Sequence, residues 1–331
     1  MKQSNELSLK QSVGNRRVVK GLQRTKAKLQ LSSHWTSVAA KVMTYLILIS
    51  ISYVFLYPLL NMISMSFMST SDLINPEVDW IPQHPTIHNF RVASMVLLLP
   101  KTLINSTLVS GLFALAQTLV STLTAFAFAR YKFPLKNIFF AFMLLSFIIP
   151  LPVVLIPRLM IFTTIQNSAG IQLIGTAIPQ FVMAALGQGV YSAILILICY
   201  NFFKNIPLSL DEAAKIDGAS PKQVFWHITI KLSMTIIITV FLFSFVWNWN
   251  ETQVTATFMR TGIDLLPQRL MNFDSVFSQR GADLPGPGGG EARINEAYKM
   301  AGTLISILPL LVLYFFTQRQ FIEGIENTGI K

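Results

Sequence analysis

Charge is what this sequence has least of. Only 12 % of its 331 residues are Asp, Glu, Lys or Arg, 52 % are hydrophobic, and mean hydropathy is +0.54. That balance excludes an ordinary water-soluble globular domain. Cysteine is nearly missing too: Cys199 stands alone, which removes a disulfide framework and a cysteine-built metal cluster. The four histidines (His34, His84, His88, His227) are scattered without metal-ligand spacing. No G-x-x-x-x-G-K-[ST] phosphate loop occurs, and the glycine-rich LPGPGGGEAR at 284–293 has no lysine after its glycines. Its prolines mark it as a surface loop. No nucleophile–base pair is visible either. The chain is expected to be no enzyme and to hold no metal or cofactor of its own.

Six stretches contain no Lys, Arg, Asp or Glu at all: 42–71, 102–129, 137–157, 159–203, 232–250 and 300–318. About 20 apolar residues cross a hydrocarbon core of roughly 30 Å, so each stretch can hold one span. In the long fourth stretch, 165–171 (IQNSAGI) is polar and contains glycine. We therefore expect 159–165 to be an interfacial piece and about 173–201 to be one span, kinked near Pro179. The expected fold is an all-α membrane protein with six transmembrane helices; five is the alternative if 137–157 is re-entrant.

Basic residues orient these spans. With the N-terminus inside, segments 1–41, 130–136, 204–231 and 319–331 face the cytoplasm and carry 18 of the 26 Lys and Arg. The positive-inside rule favours that arrangement, with both termini cytoplasmic. The basic tail at 1–34, eight Lys and Arg against Glu6, is then a retention signal and a contact for anionic lipid. Without an aromatic-interleaved basic fold it does not point to nucleic acid. A cleaved signal peptide is not expected, because the first apolar run exceeds the usual 7–15 residues. The apolar cores hold no carboxylate, which weakens an ion-coupled carrier without excluding it.

One charged segment interrupts the apolar pattern: DEAAKIDGASPKQVFWHI, residues 211–228. Ser209-x-x-Glu212 has the spacing of a capping box, and Asp211 and Glu212 suit the positive end of a helix dipole. Gly218 can take the left-handed conformation that ends a helix. Ser220-Pro221 restarts one. Leu210, Ala213, Ala214 and Asp217 share one side of the first helix, a small-residue face that a partner's groove could admit. A plain solvated loop is the alternative.

The segment resembles the EAA loop of ABC-importer permeases: Glu212, Ala213, Ala214, then Gly218, then Ile228 fall at that pattern's spacing. NSTLVSGLFALAQTLVSTLTAFAFARYKFP (105–134), FSFVWNWNE (243–251) and QRQFIEGI (318–325) resemble elements of the carbohydrate-uptake, maltose-type branch. The resemblance covers most of 42–331, leaving the tail at 1–40 and an outer-loop insertion at about 272–295 as additions to a six-helix permease domain. It implies a multi-pass subunit in a bacterial cytoplasmic membrane, with the EAA loop between helices 4 and 5. It also implies a homologous second permease, two cytoplasmic ATPase subunits that bind ATP and Mg, and an extracellular or periplasmic solute-binding protein. Glu212, Ala213, Ala214, Asp217, Gly218 and Ile228 would couple ATP hydrolysis to the spans. The rival is a self-sufficient secondary carrier or channel.

Two further expectations concern the fifth span. Trp247, Asn248, Trp249 and Asn250 lie near its outer end and combine indole faces with amides, the groups that sugar recognition uses; an interfacial aromatic belt is the alternative. At 231 the family pattern has proline, and this chain has Lys231. Lysine restores the backbone N–H, so a smooth helix is expected from about Pro221 into the fifth span, with Lys231 at the cytoplasmic interface; the alternative is that local packing bends the chain anyway.

Overall fold

The computed structural model describes residues 38, 40–260, 262–280 and 295–328. The basic tail at 1–34 and residues 281–294 of the outer loop lie outside the described residues. All regular structure among the described residues is helical. The chain divides into two compact units, Met1–Met62 and Ile63–Lys331.

In the first unit the described residues form most of helix α1 (Ala40–Phe67), 28 residues long and almost wholly unburied. At 1.5 Å per residue that is about 42 Å, more than a bilayer core requires. Its exposed side chains are mostly apolar from Val42 to Leu60, with Thr44, Ser50 and Ser52 among them.

The second unit contains α2 (Thr70–Ile74), α3 (His88–Leu97), α4 (Lys101–Arg130), α5 (Lys136–Ile148), α6 (Leu151–Ala169), α7 (Ile178–Ala185) and α8 (Ser192–Asn205). There follow α9 (Leu208–Ile216), α10 (Pro221–Leu232), α11 (Met234–Asn250), α12 (Gln253–Phe258), α13 (Leu266–Met271), α14 (Phe273–Arg280) and α15 (Asn295–Thr328). Helix α4 is the axis, packed against α7, α8 and α11. Its buried residues are mostly small or polar, among them Thr102, Ser106, Ser110, Ala114, Gln117, Ser121 and Ala125, with Phe113, Phe126 and Phe128 beside them. Its opposite face, Ile104, Leu108, Leu112, Leu115, Leu119 and Leu123, is exposed. This inverts the pattern of a soluble helix. Small residues let backbones approach inside a membrane bundle, while leucines face lipid at no cost.

Among the described residues three helices are long and apolar enough to cross a membrane unaided: α1, α4 and Glu296–Arg319 of α15. Three bent pairs pass together, α5 with α6 (105°), α8 with α9 (71°) and α10 with α11 (81°), giving three to six spans. Prolines explain two of the bends. Ile149 and Ile206, each before a proline, are extended at ψ 123 and 127, because proline disfavours the helical region for its predecessor.

Three sequence expectations fail here. Residues 159–165 are no separate interfacial piece; they lie inside the continuous α6. The stretch 173–201 is not one kinked helix, since α7 and α8 are separate and the chain between them takes positive φ at Gly187 and Tyr191. Pro179 sits in the first turn of α7, where its missing N–H breaks no helical bond. The smooth passage from Pro221 into the fifth span is absent as well: α10 meets α11 at 81° across Ser233. No proline is needed for this break. Val224–Thr229 is a π-helical stretch, and the buried Ser233 N–H bonds to the Thr229 and Ile230 carbonyls at 3.0 and 3.2 Å, closing the turn. Val224, Phe225 and Val240 share one core cluster across the bend, so packing sets the direction that Lys231 alone does not. Lys231 itself is exposed.

Candidate functional site

The charged segment folds as two short helices around a glycine. Gly218 has φ +82. Its N–H bonds to the Lys215 carbonyl at 3.1 Å, and the Ala219 N–H reaches Ala214 at 2.8 Å, the paired bonds of a Schellman turn. Ser220 then caps α10, with Gln223 reaching back to complete a capping box. The Ser209–Glu212 box is absent. Helix α9 begins two residues earlier than a Ser209 cap requires, at Leu208 behind Pro207, with no side-chain cap, so Ser209 already lies within the first turn.

Glu212, Ala213, Asp217 and Gly218 are exposed. Ala214 and Ile228 are half-buried against the core cluster of Phe126, Phe203 and Phe225. Large apolar side chains flank the outward face: Ile216 is 87 % exposed, and Leu208 and Trp226 are exposed too. Exposed apolar surface beside charges at a capped helix is the profile of a docking surface.

Sequence reasoning missed what holds this segment. Asp211, buried, brings Oδ2 to 3.2 Å from Nε of Arg130, with side-chain exposures of 8 % and 4 %. Arg130 Nη1 also donates to the Ile206 carbonyl at 3.0 Å. The last residue of α4 is thereby clamped to the start of α9. The available signal was the arginine that closes the uncharged run 102–129.

A second polar centre lies deeper. Gln117, fully buried, donates from Nε2 to the Val190 carbonyl (2.6 Å) and to Ser192 Oγ (2.8 Å). Its Oε1 accepts from Ser244 Oγ (2.8 Å) and Asn248 Nδ2 (2.9 Å). One amide thus ties α4 to α8 and α11. Gly189 permits this approach, since a Cβ there would come within 3.1 Å of Gln117 Cδ.

The four aromatic and amide residues of 247–250 take separate places. Asn248 faces a cavity. Trp247 stacks on Phe243 and meets Tyr191 edge-on at 5.0 Å. Trp249 is 2 % exposed, in the cluster of Phe245, Leu266 and Phe273. Asn250 is exposed and bonds to the Val246 carbonyl. Consecutive helical residues point about 100° apart, so the four cannot share one face.

The cavity measures about 290 Å³ and lies among the α5–α6 turn, α6, α7, the start of α8 and the end of α11. Its polar wall is Arg158, Gln180, Gln188, Asn248 and Glu251. Arg158 Nη2 donates to Gln188 Oε1 at 3.1 Å; Gln180 donates to Thr255 at 3.3 Å. Among the described residues no group of three or more His, Cys, Asp or Glu could hold a metal ion. Elsewhere, Asp264 accepts from Lys101 (2.9 Å) and Arg269 (3.0 Å), and the Lys101 bond is the main force holding its carboxyl below the usual range, against partial burial.

A family model described as binding-protein-dependent transport system inner membrane component matches residues 117–326. The galactooligosaccharides transport system permease protein of Bacillus subtilis is 27 % identical over 293 residues, covering 87 % of this chain and 94 % of that protein. The maltodextrin transport system permease protein of Streptococcus pneumoniae is 25 % identical, covering 87 % and 95 %. A solved structure of a bacterial ABC transporter involved in the import of the acidic polysaccharide alginate aligns with TM-score 0.62 at 19 % identity, over 85 % of this chain and 95 % of that one.

Proposed function

The chain belongs to the family of binding-protein-dependent transport system inner membrane components, and on that premise we propose that it forms half of a carbohydrate pathway in an ATP-driven importer. A homologous permease supplies the other half. Two cytoplasmic ATPase subunits bind ATP and Mg, and an extracellular or periplasmic solute-binding protein delivers the sugar across a bacterial cytoplasmic membrane. Six spans, both termini inside, place α9–Gly218–α10 between helices 4 and 5 on the cytoplasmic side. The names of relatives that carry galactooligosaccharides and maltodextrin support the sugar.

The observation that carries the proposal is the exposed, capped turn at Gly218, clamped to α4 through Asp211 and Arg130. Closure of the ATPase dimer pushes on Glu212, Ala213 and Asp217. The clamp transmits that push to α4, and Gln117 passes it on to α8 and α11, which tilt as packed bodies between inward- and outward-facing arrangements. No observation favours the self-sufficient carrier. The test is uptake of labelled oligosaccharides by sealed vesicles containing this chain, with and without the ATPase subunits and binding protein. Uptake that needs ATP and every partner is expected; uptake by the chain alone overturns the proposal.

A further inference from the structure

We infer, building on the importer proposal, that the cavity is a subsite for an acidic sugar unit whose carboxylate is held by Arg158. Arg158 is the only basic residue between Lys136 and Lys204. It lies inside α6, half-buried, and lines the cavity. Ionisable groups among apolar helices are costly and persist where they face a cavity or a counter-charge.

Among the described residues Arg158 forms no ion pair. Its one hydrogen-bond partner is the neutral amide of Gln188, at 3.1 Å. A guanidinium carries five N–H donors in a planar fork that matches a carboxylate, so most of its capacity points to a ligand. Glu251 lines the same cavity, but its Oε1 accepts the Val254 N–H at 2.8 Å. A wall with Arg158 in one place and Glu251 in another orients an acidic sugar, carboxylate to the arginine and hydroxyls to the glutamate. The remaining lining suits a saccharide: the amides of Gln180 and Asn248 for hydroxyls, and the rings of Tyr191 and Phe147, 6.5 Å apart, for apolar sugar faces. Small-molecule pockets span about 300–1,000 Å³, so a cavity of about 290 Å³ sits at the lower edge and suits one sugar unit of a longer chain.

The experiment measures binding to the purified, assembled transporter by thermal shift across a ligand titration. The probes are trigalacturonate and triglucuronate, with the neutral trisaccharides of the same sugars. Wild type should bind at least one acidic probe more tightly than its neutral counterpart. Arg158→Ala should lose about tenfold or more in affinity for it, the scale of a lost charged hydrogen bond, and Arg158→Lys should recover part. Neutral-probe binding should be unchanged. The ligand-free unfolding temperature of Arg158→Ala separates a ligand contact from a structural staple: a ligand contact leaves it near wild type, and a staple to Gln188 would lower it. Absence of acidic-probe binding in wild type, equal affinity in Arg158→Ala, or a marked fall in the ligand-free unfolding temperature of that variant overturns the inference. Vesicle uptake that proceeds without ATPase subunits overturns the importer proposal instead, whatever these titrations give.

Discussion

Arg130 and Asp211 concentrate the most consequence in the fewest atoms. Both side chains are more than nine-tenths buried. Asp211 Oδ1 and Arg130 Nε and Nη2 lack hydrogen-bond partners among the described residues, the 3.2 Å Nε–Oδ2 approach being an ion pair without hydrogen-bond geometry. Removing one partner of such a pair costs about 3–5 kcal/mol, because the other charge is left buried and alone, whereas replacing both by apolar groups can be nearly neutral. Asp211→Ala or Arg130→Ala should therefore lower the unfolding temperature sharply, and Asp211→Leu with Arg130→Met should restore most of it. Thermal unfolding in detergent checks this. Uptake need not recover in the double variant if the clamp carries the coupling. Asp264 gives a pH prediction at the same scale. A carboxylate whose folded pKa is depressed adds stability above its unfolded pKa, near 3.9, and that contribution is lost as pH falls through the lower folded value. Wild type should thus lose more thermal stability than Asp264→Asn between about pH 5 and pH 3. The difference should be modest, because the Asp264 side chain is 29 % exposed and the Lys101 side chain 65 %. Parallel melting curves across that range decide it.

At the scale of elements, the turn at Gly218 allows strain to be tested without steric confusion. A Cβ there would meet nothing within 4 Å, so only the left-handed φ of +82 resists substitution. Gly218→Val should cost roughly 1–2 kcal/mol locally, leave membrane insertion intact, and reduce both uptake and ATPase stimulation. Gly218→Asn, which tolerates this conformation better, should keep more of each. Unchanged uptake and ATPase stimulation in Gly218→Val and in Glu212→Lys would remove the lever. This turn was legible in the sequence because glycine and serine act through their own backbone and immediate neighbours. The Arg130–Asp211 clamp was not, since nothing local pairs residues from separate helices. The bends were half legible. Absence of charge marks apolar helix, but a bent pair such as α5 with α6 has the same composition as a straight crossing. Ser233 shows the limit: the rule that proline breaks helices was applied to its absence at Lys231, and a π-helical stretch with its core packing made the break instead.

At the scale of the whole molecule, the inside-out face pattern of α4 and the basic bias of the connecting segments make one joint statement about sidedness. Helix α4 buries serine, threonine and glutamine beside Phe113, Phe126 and Phe128 and shows leucine outward, the arrangement that suits a surround of lipid or of other apolar helices. The proposed six-span count then requires each of the three bent pairs to cross once, and it puts Ser209 in the cytoplasm and Ser275 outside. Both positions are exposed, so a cysteine at either should react with a charged thiol reagent on its own side. Cys199 must first be removed; it is 0 % exposed and packed in the core cluster with Phe203 and Val240, so alanine is the mildest replacement. In sealed right-side-out vesicles Ser275→Cys should label at once and Ser209→Cys only after permeabilisation, with the reverse in inverted vesicles. An odd number of crossings between the two positions is what that result demands. Labelling of both from one side would mean that a bent pair turns back instead of crossing, and would move either the loop at Gly218 or the segment around Ser275 to the opposite face of the membrane.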